Sequence, residues 1–147
     1  MTRVAFVCVE NAGRSQMAAA FAHAAVEAGV TSVEVISGGT APAEAVHPEV
    51  ITVMQEVGID LSRNEPGSIG RTETGTADIV VTMGCSAEGI CPARWDGDSR
   101  DWDLPDPKGK SIDAVRKIRD QIQQRVQALL TEIDTGEQGE RFRSLLR

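Results

Sequence analysis

The sequence predicts an α/β fold, a three-layer α/β/α sandwich built around a four-stranded parallel sheet. Two observations favour this class. Apolar runs of strand length alternate along the chain with segments of helical periodicity, which is typical of parallel sheets with right-handed crossovers. Two of these runs are apolar almost throughout, as strands buried on both faces of a sheet are. A length of 147 residues, 41% of them hydrophobic, suits one compact domain.

The chain opens with a strand, a tight loop and a helix. The strand is the apolar run from Arg3 to Val9, and residues 11–13 interrupt it before a helical pattern begins. Apolar side chains then recur at three- and four-residue spacing until Gly29, which is placed to stop the helix. They are Met17, Phe21, Ala24, Ala25 and Ala28.

A second strand and a second helix follow. Residues 31–37 alternate like a strand, and residues 38–42, which include two glycines and a proline, end it. Pro48 suits the first turn of a helix that Gly58 closes. The polar, glycine-bearing stretch 60–76 is expected to be irregular, with at most one or two helical turns.

The second half of the chain predicts two more strands and a long helix. Residues 78–83 form an apolar third strand, and residues 100–104 suit a short fourth one. A long amphipathic helix is predicted from Ser111, which is a suitable N-cap. The sequence therefore predicts a single domain over residues 1–133 and a C-terminal tail over residues 134–147.

Charge and hydropathy exclude several classes of function. Acidic residues outnumber basic ones 22 to 15, and a net charge of -7 repels the phosphate backbone of a nucleic acid. No run of about 18 apolar residues is present to span a membrane, and the N-terminal segment turns polar too early for a signal peptide. We therefore expect a cytoplasmic protein that binds neither nucleic acid nor membranes. We also expect it to be a monomer.

Three cysteines need an explanation: Cys8, Cys85 and Cys91. In a reducing compartment such residues are more often thiols with chemistry than a structural framework. Cys8 and Cys85 each follow a predicted strand, and active sites of parallel sheets lie beyond the carboxyl ends of the strands. We therefore expect these two cysteines on one functional edge.

The loop after the first strand has the composition of an anion site. Between Cys8 and the helix that begins near Arg14, backbone N–H groups can wrap around an oxyanion, and the helix N-terminus adds its positive dipole. Arg14 offers a planar fork of donors, and Asn11 tolerates a left-handed backbone. The same field favours a thiolate at Cys8, to which Ser15 can donate a hydrogen bond. The expected oxyanion-binding residues are Glu10, Asn11, Ala12, Gly13 and Arg14.

A simpler interpretation of the same residues stays open at this point. Cys8 would then be a small buried hydrophobe that ends a strand, and Arg14 a solvated helix residue. For the pair Cys85 and Cys91 the competing interpretation is a metal site, but the chain has no second cysteine pair and both histidines lie in predicted helices. We therefore predict no bound metal.

The order of these residues resembles a known family. One segment is similar to the signature of the low-molecular-weight protein tyrosine phosphatase fold, and especially of its arsenate reductase branch. In this segment five residues separate Cys8 from Arg14, and Ser15 and Gln16-Met17-Ala18 follow. The similarity extends to about residue 133 through four more segments. They are Ser37-Gly38-Gly39-Thr40, Gly58-Ile59-Asp60-Leu61, Val80-Val81-Thr82-Met83 and Trp102-Asp103-Leu104-Pro105-Asp106-Pro107.

The resemblance implies roles for individual residues. Asp106 matches the general acid that protonates the leaving oxygen. Cys85 and Cys91 resemble the redox pair of thioredoxin-coupled arsenate reductases. Phosphatases of this fold usually hold the substrate ring with aromatic side chains after the Asp-Pro pair, whereas here Lys108-Gly109-Lys110 follows and the chain contains no tyrosine. The resemblance therefore favours a reductase.

The implied reaction reduces arsenate to arsenite, which is arsenic detoxification. Cys8 attacks arsenate, Cys85 attacks Cys8, and Cys91 attacks Cys85. The final Cys85–Cys91 disulfide is left for thioredoxin to reduce. No bound cofactor is needed, and phosphate or sulfate would act as mimics of the substrate.

Three alternatives to this activity stay open. The protein could hydrolyse phosphate monoesters as a low-molecular-weight phosphatase, reduce arsenate with a low-molecular-weight thiol, or sense oxyanions or redox state without catalysis. Two departures from the family pattern concern the loop itself. Gly13 stands where many relatives carry a cysteine, and Glu10 brings a carboxylate that would oppose anion binding unless it points outward.

Overall fold

The computed structural model describes residues 1–84, 90–91 and 95–145, with side chains as far as Thr135. Cys85, which is expected to attack Cys8, lies outside the described residues, whereas Cys91 lies within them. In this part of the chain, no helix is both long and apolar enough to cross a membrane.

Four parallel strands form the sheet in the order β2-β1-β3-β4. They are β1 (Arg3–Cys8), β2 (Glu34–Gly39), β3 (Ile79–Met83) and β4 (Asp98–Asp101). The central strand β1 pairs on both sides, so Cys8 lies between Gly39 and Met83. The predicted four-stranded parallel sheet is confirmed, and Cys8 lies at its carboxyl edge.

Helices flank the sheet. They are α1 (Arg14–Glu27), α2 (Pro48–Gln55), α3 (Arg71–Thr74) and α4 (Ile112–Leu145). Because successive side chains of a strand point to opposite faces, Val4, Phe6 and Cys8 contribute to a large core formed with α1, α2 and α4. Ala5 and Val7 contribute to a smaller core with residues on either side of α3. Each face of the sheet therefore has its own core, as the predicted sandwich requires.

The limits of both edge strands differ from the prediction. β2 begins at Glu34 rather than at residue 31 and includes Gly38 and Gly39. Its limits are set by pairing with β1 and not by the alternation of its own side chains. β4 begins at Asp98 and ends at Asp101, two to three residues before the predicted limits. An edge strand pairs on one side only, so a polar sequence can form it without burying charge.

Helix α4 is longer than its apolar pattern predicts. Its buried side chains run from Val115 to Ile133, but the backbone stays helical to Leu145. Loss of apolar spacing marks the end of a buried face and not the end of a helix. The division of the chain into a domain and a tail at residue 133 stays a prediction.

Candidate active site

The candidate site lies in the loop between β1 and α1, residues 9–13, which we call the nucleophile loop after the role expected of Cys8. The chain leaves β1 at Cys8, turns through residues 9–13 and enters α1 at Arg14. Asn11 has a φ of 51°, the left-handed conformation that the sequence analysis allows for it. The turn borders a pocket of about 230 Å³ at the carboxyl edge of the sheet. Its lining residues are Cys8, Val9, Glu10, Gly13, Arg14, His47, Gly84 and Asp106.

Two hydrogen bonds hold the sulfur of Cys8. Its Sγ lies 2.8 Å from Ser15 Oγ and accepts a hydrogen bond from the Asn11 amide at 3.2 Å. Both neighbours suit a sulfur that accepts hydrogen bonds, as a thiolate nucleophile does. The structure therefore places Ser15 against Cys8, where the sequence analysis expects it.

A hydrogen-bond network that is buried at Asn11 and Gln16 supports these two neighbours. Asn11 Nδ2 donates to Ser15 Oγ at 2.7 Å, and Asn11 Oδ1 accepts from Gln16 Nε2 at 3.1 Å. The same Oδ1 accepts from the Gly67 amide at 3.0 Å, and Gln16 Oε1 accepts from Asn64 Nδ2 at 3.2 Å. The network satisfies a buried polar side chain and fixes the left-handed turn. The sequence does not predict the contacts of Asn64 and Gly67, because they join positions 48 and 56 residues apart. Nor does it predict the contact of Gln16 with Asn11, although these residues are only five positions apart.

Arg14 extends from the start of α1 to the loop after β4. Its Nη1 donates to the Leu104 carbonyl at 2.9 Å, and its Nη2 lies 3.9 Å from Asp106 Oδ2. Only 11% of the side chain is exposed, so the interpretation of Arg14 as a solvated helix residue is wrong. A guanidinium has five N–H groups, and these contacts among the described residues leave donors for a tetrahedral oxyanion.

Gly84, just after β3, shapes the space that Arg14 occupies. It has a φ of 81°, a conformation that glycine adopts without steric cost. A Cβ at this position would lie 2.6 Å from Arg14 Nη2. Backbone conformation and steric contact therefore both require a glycine here.

We expect Gly84→Ala to weaken oxyanion binding as well as to destabilise the fold. A left-handed backbone costs an alanine about 1–2 kcal/mol, and the added methyl group displaces the Arg14 guanidinium. Gly29→Ala is the matched control, because Gly29 has a φ of 75° and a Cβ there meets no described atom within 4 Å. In urea unfolding and phosphate titration, both variants should lose stability, Gly84→Ala at least as much as Gly29→Ala, but only Gly84→Ala should lose phosphate affinity. Equal phosphate affinities would contradict the steric role of Gly84.

Asp106 lines the same pocket, and 57% of its side chain is exposed. Its Oδ1 accepts a hydrogen bond from the Lys108 amide at 3.0 Å, so a tight turn fixes the carboxylate. Pro107 approaches the nucleophile loop so closely that a Cβ on Gly13 would lie 2.8 Å from Pro107 Cγ. This contact accounts for glycine at position 13, where the family pattern often has a cysteine.

Glu10, the carboxylate expected to oppose an anion, is paired through both oxygens. Its Oε2 lies 3.0 Å from His47 Nε2, and its Oε1 lies 3.0 Å from Lys108 Nζ. Glu10 and His47 both line the pocket, and Lys108 balances the negative charge. The sequence does not predict the contacts of His47 and Lys108 with Glu10, because neither residue belongs to the loop that carries Glu10.

Cys91 lies apart from the other candidate residues. Cys8 belongs to the large core, whereas Cys91 packs against the smaller core on the other face of the sheet. Burial raises the pKa of the Cys91 thiol. The structure thus brings together Cys8, Arg14, Ser15 and Asp106, but it does not bring Cys91 to them.

Residues 3–139 match the family described as Low molecular weight phosphotyrosine protein phosphatase. The chain belongs to this family. The match includes the nucleophile loop, all four strands and most of α4, in agreement with the low-molecular-weight phosphatase fold expected from the sequence.

Two proteins of similar sequence carry names that refer to arsenate. A protein of Halobacterium salinarum named "Putative arsenate reductase" is 47% identical over 140 residues, which cover 90% of this chain and 94% of that protein. The "Glutaredoxin arsenate reductase" of Synechocystis sp. is 36% identical over 136 residues, which cover 90% of this chain and 99% of that protein.

Two solved structures of similar sequence share the fold. The thioredoxin-dependent arsenate reductase of Corynebacterium glutamicum is 34% identical in sequence and has a TM-score of 0.74. The match covers 92% of this chain but only 63% of the length of that protein. An arsenate reductase in the phosphate binding state has a TM-score of 0.75 at 36% identity over 90% of this chain and 99% of its own length.

Proposed function

We propose that this protein reduces arsenate to arsenite with Cys8 as the nucleophile. A thiol–disulfide relay of Cys8, Cys85 and Cys91 completes the reaction, and thioredoxin regenerates the protein. The observation that carries the proposal is the position of Cys8, which lines one pocket with Arg14 and Asp106. The names of the similar proteins support arsenate as the substrate.

In the first step, the Cys8 thiolate attacks the arsenic(V) of bound arsenate. Loop amides and the Arg14 guanidinium bind the substrate oxygens. Asp106 delivers a proton to the oxygen that leaves as water. A covalent bond between Cys8 and arsenic(V) forms, and no oxidation state changes.

In the second step, the Cys85 thiolate attacks the sulfur of Cys8. The sulfur–arsenic bond breaks, its electron pair passes to arsenic, and arsenic(III) leaves as arsenite. Cys91 then attacks Cys85, which frees the Cys8 thiolate and leaves a Cys85–Cys91 disulfide. Two thiols supply the two electrons that arsenic gains, so the cycle needs no bound cofactor.

The position of Cys91 places one requirement on this scheme. Disulfide exchange needs a thiolate in line with the sulfur that it attacks. Cys91 is half-buried against the smaller core, and this burial raises the pKa of its thiol. The thiol therefore has to leave that core before it attacks. Because the thiolate fraction of a thiol with a raised pKa grows as pH rises, this step should accelerate at alkaline pH.

Steady-state turnover of arsenate with thioredoxin and its reductase tests the relay. Cys85→Ser and Cys91→Ser should both lose turnover, because neither variant can complete the exchange. After one equivalent of arsenate, Cys91→Ser should accumulate a Cys8–Cys85 disulfide, which mass spectrometry detects. Replacing thioredoxin by glutaredoxin or by a low-molecular-weight thiol separates the possible reductants. Full turnover of both variants with thioredoxin would rule out the relay.

Hydrolysis of phosphate monoesters is the alternative function, and the description of the family favours it. The chain lacks tyrosine, and Lys108-Gly109-Lys110 follows Pro107, so these positions offer no aromatic wall for a substrate ring. A phosphatase would hydrolyse an aryl phosphate rapidly. Its rate would not change in Cys85→Ser or Cys91→Ser, which distinguishes it from the relay.

A further inference from the structure

A carboxylate lies at the edge of a pocket that is suited to anions. Glu10 stands two residues after Cys8 and lines the pocket together with Arg14 and His47. An isolated carboxylate would repel a tetrahedral anion. Here one oxygen contacts His47 Nε2 and the other contacts Lys108 Nζ, each at 3.0 Å. These two contacts hold the carboxylate in place, and the Lys108 ammonium offsets its charge.

His47, Lys108 and Glu10 are each anchored by a hydrogen bond of their main chain. The His47 amide donates to the Ala12 carbonyl at 3.0 Å, so His47 is tied to the nucleophile loop through its main chain and its side chain. The Glu10 carbonyl accepts from the Ala43 amide at 2.9 Å. The Lys108 amide donates to Asp106 Oδ1 at 3.0 Å. The carboxylate is therefore positioned before any ligand binds.

The contacts of Glu10 leave it able to accept further hydrogen bonds. An ionised carboxylate has about four lone-pair sites. Among the described residues, His47 and Lys108 contact the carboxylate, so they fill at most two of these sites. A ligand oxygen can approach the remaining sites favourably only if it carries a proton, because two unprotonated anionic oxygens repel each other.

Tetrahedral oxyanions differ in this property at neutral pH. Hydrogen arsenate and hydrogen phosphate keep at least one O–H group, whereas sulfate keeps none. We infer that Glu10 determines the specificity of the pocket, accepting a hydrogen bond from the O–H group of a protonated oxyanion and excluding sulfate. The inference rests on the proposed function only in taking arsenate as the natural ligand of the pocket. Of the two expected mimics of the substrate, it predicts that phosphate binds more tightly than sulfate.

Calorimetric titration of the reduced protein with phosphate and with sulfate tests this inference. One hydrogen bond to a charged group should make the Kd for phosphate at least about tenfold lower than the Kd for sulfate. Glu10→Gln keeps the shape of the side chain but replaces the charge by an amide that can also donate. The variant should bind sulfate more tightly, so that the two Kd values come within about threefold of each other.

Glu44→Gln is the matched control for charge, because it removes one negative charge from an exposed side chain that does not line the pocket. It should keep the wild-type preference for phosphate. Equal affinity of the wild-type protein for phosphate and sulfate would overturn the inference, whether or not Glu10→Gln folds. A wild-type preference retained in a folded Glu10→Gln protein would overturn the assignment to Glu10.

These titrations need no turnover, so the two proposals can fail separately. If the protein does not reduce arsenate but prefers phosphate to sulfate through Glu10, the proposed function fails and the inference holds. If the protein reduces arsenate and binds sulfate as tightly as phosphate, the inference fails and the proposed function holds.

Discussion

A Cys8→Ser variant is expected to produce no arsenite above the uncatalysed background. A serine hydroxyl is a weak nucleophile at its ordinary pKa. An oxygen at position 8 also cannot form the disulfide that delivers two electrons to arsenic. Cys91 does not replace it, because Cys91 packs on the other face of the sheet. Chromatographic quantification of arsenite in the presence of thioredoxin measures the effect.

The same variant should still bind phosphate, which serves as its control. Ser15 Oγ and the Asn11 amide contact the sulfur of Cys8, and a hydroxyl can accept the same hydrogen bonds. Arg14 and the other loop residues are unchanged. A retained phosphate affinity therefore distinguishes a lost nucleophile from a collapsed pocket. Arsenite production near the wild-type rate would show that another group begins the reaction.

The central strands could be predicted more accurately than the edge strands, and burial explains the difference. β1 and β3 are enclosed by cores on both faces, so their apolar runs stand out in the sequence, and their predicted limits are within one residue. β2 is only partly buried and β4 is almost wholly exposed. Their limits depend on pairing with a neighbouring strand, which the pattern of their own side chains does not encode.

The same distinction between local and long-range contacts applies to the candidate site. Cys8 and Arg14 flank one loop, so the order of strand, loop and helix is enough to predict that they line one pocket. The partners of Glu10 could not be predicted in this way. His47 comes from the start of α2, and Lys108 is 98 residues away in sequence. Their convergence depends on how separate loops pack at the carboxyl edge of the sheet.

We expect Arg14→Lys to lower kcat/KM for arsenate by about 10²–10³-fold, although it conserves the charge. A guanidinium presents parallel donors to two oxygens, whereas an ammonium is a point charge. Arg14 Nη1 also donates to the Leu104 carbonyl at 2.9 Å, while Nη2 lies 3.9 Å from Asp106. An ammonium cannot keep both positions and still bind two substrate oxygens. Steady-state kinetics and phosphate titration measure the loss.

Arg116→Lys is the matched control for Arg14→Lys, because Arg116 lies in α4 outside the pocket lining and pairs with Glu56 and Asp113. It should keep wild-type activity, since exposed ion pairs contribute at most about 1 kcal/mol to stability. Wild-type kcat/KM in Arg14→Lys would show that one positive charge is enough for this pocket. If kcat falls more than phosphate affinity, the second hydrogen bond that the guanidinium donates to the substrate stabilises the transition state. If kcat and phosphate affinity fall equally, this hydrogen bond contributes to ground-state binding.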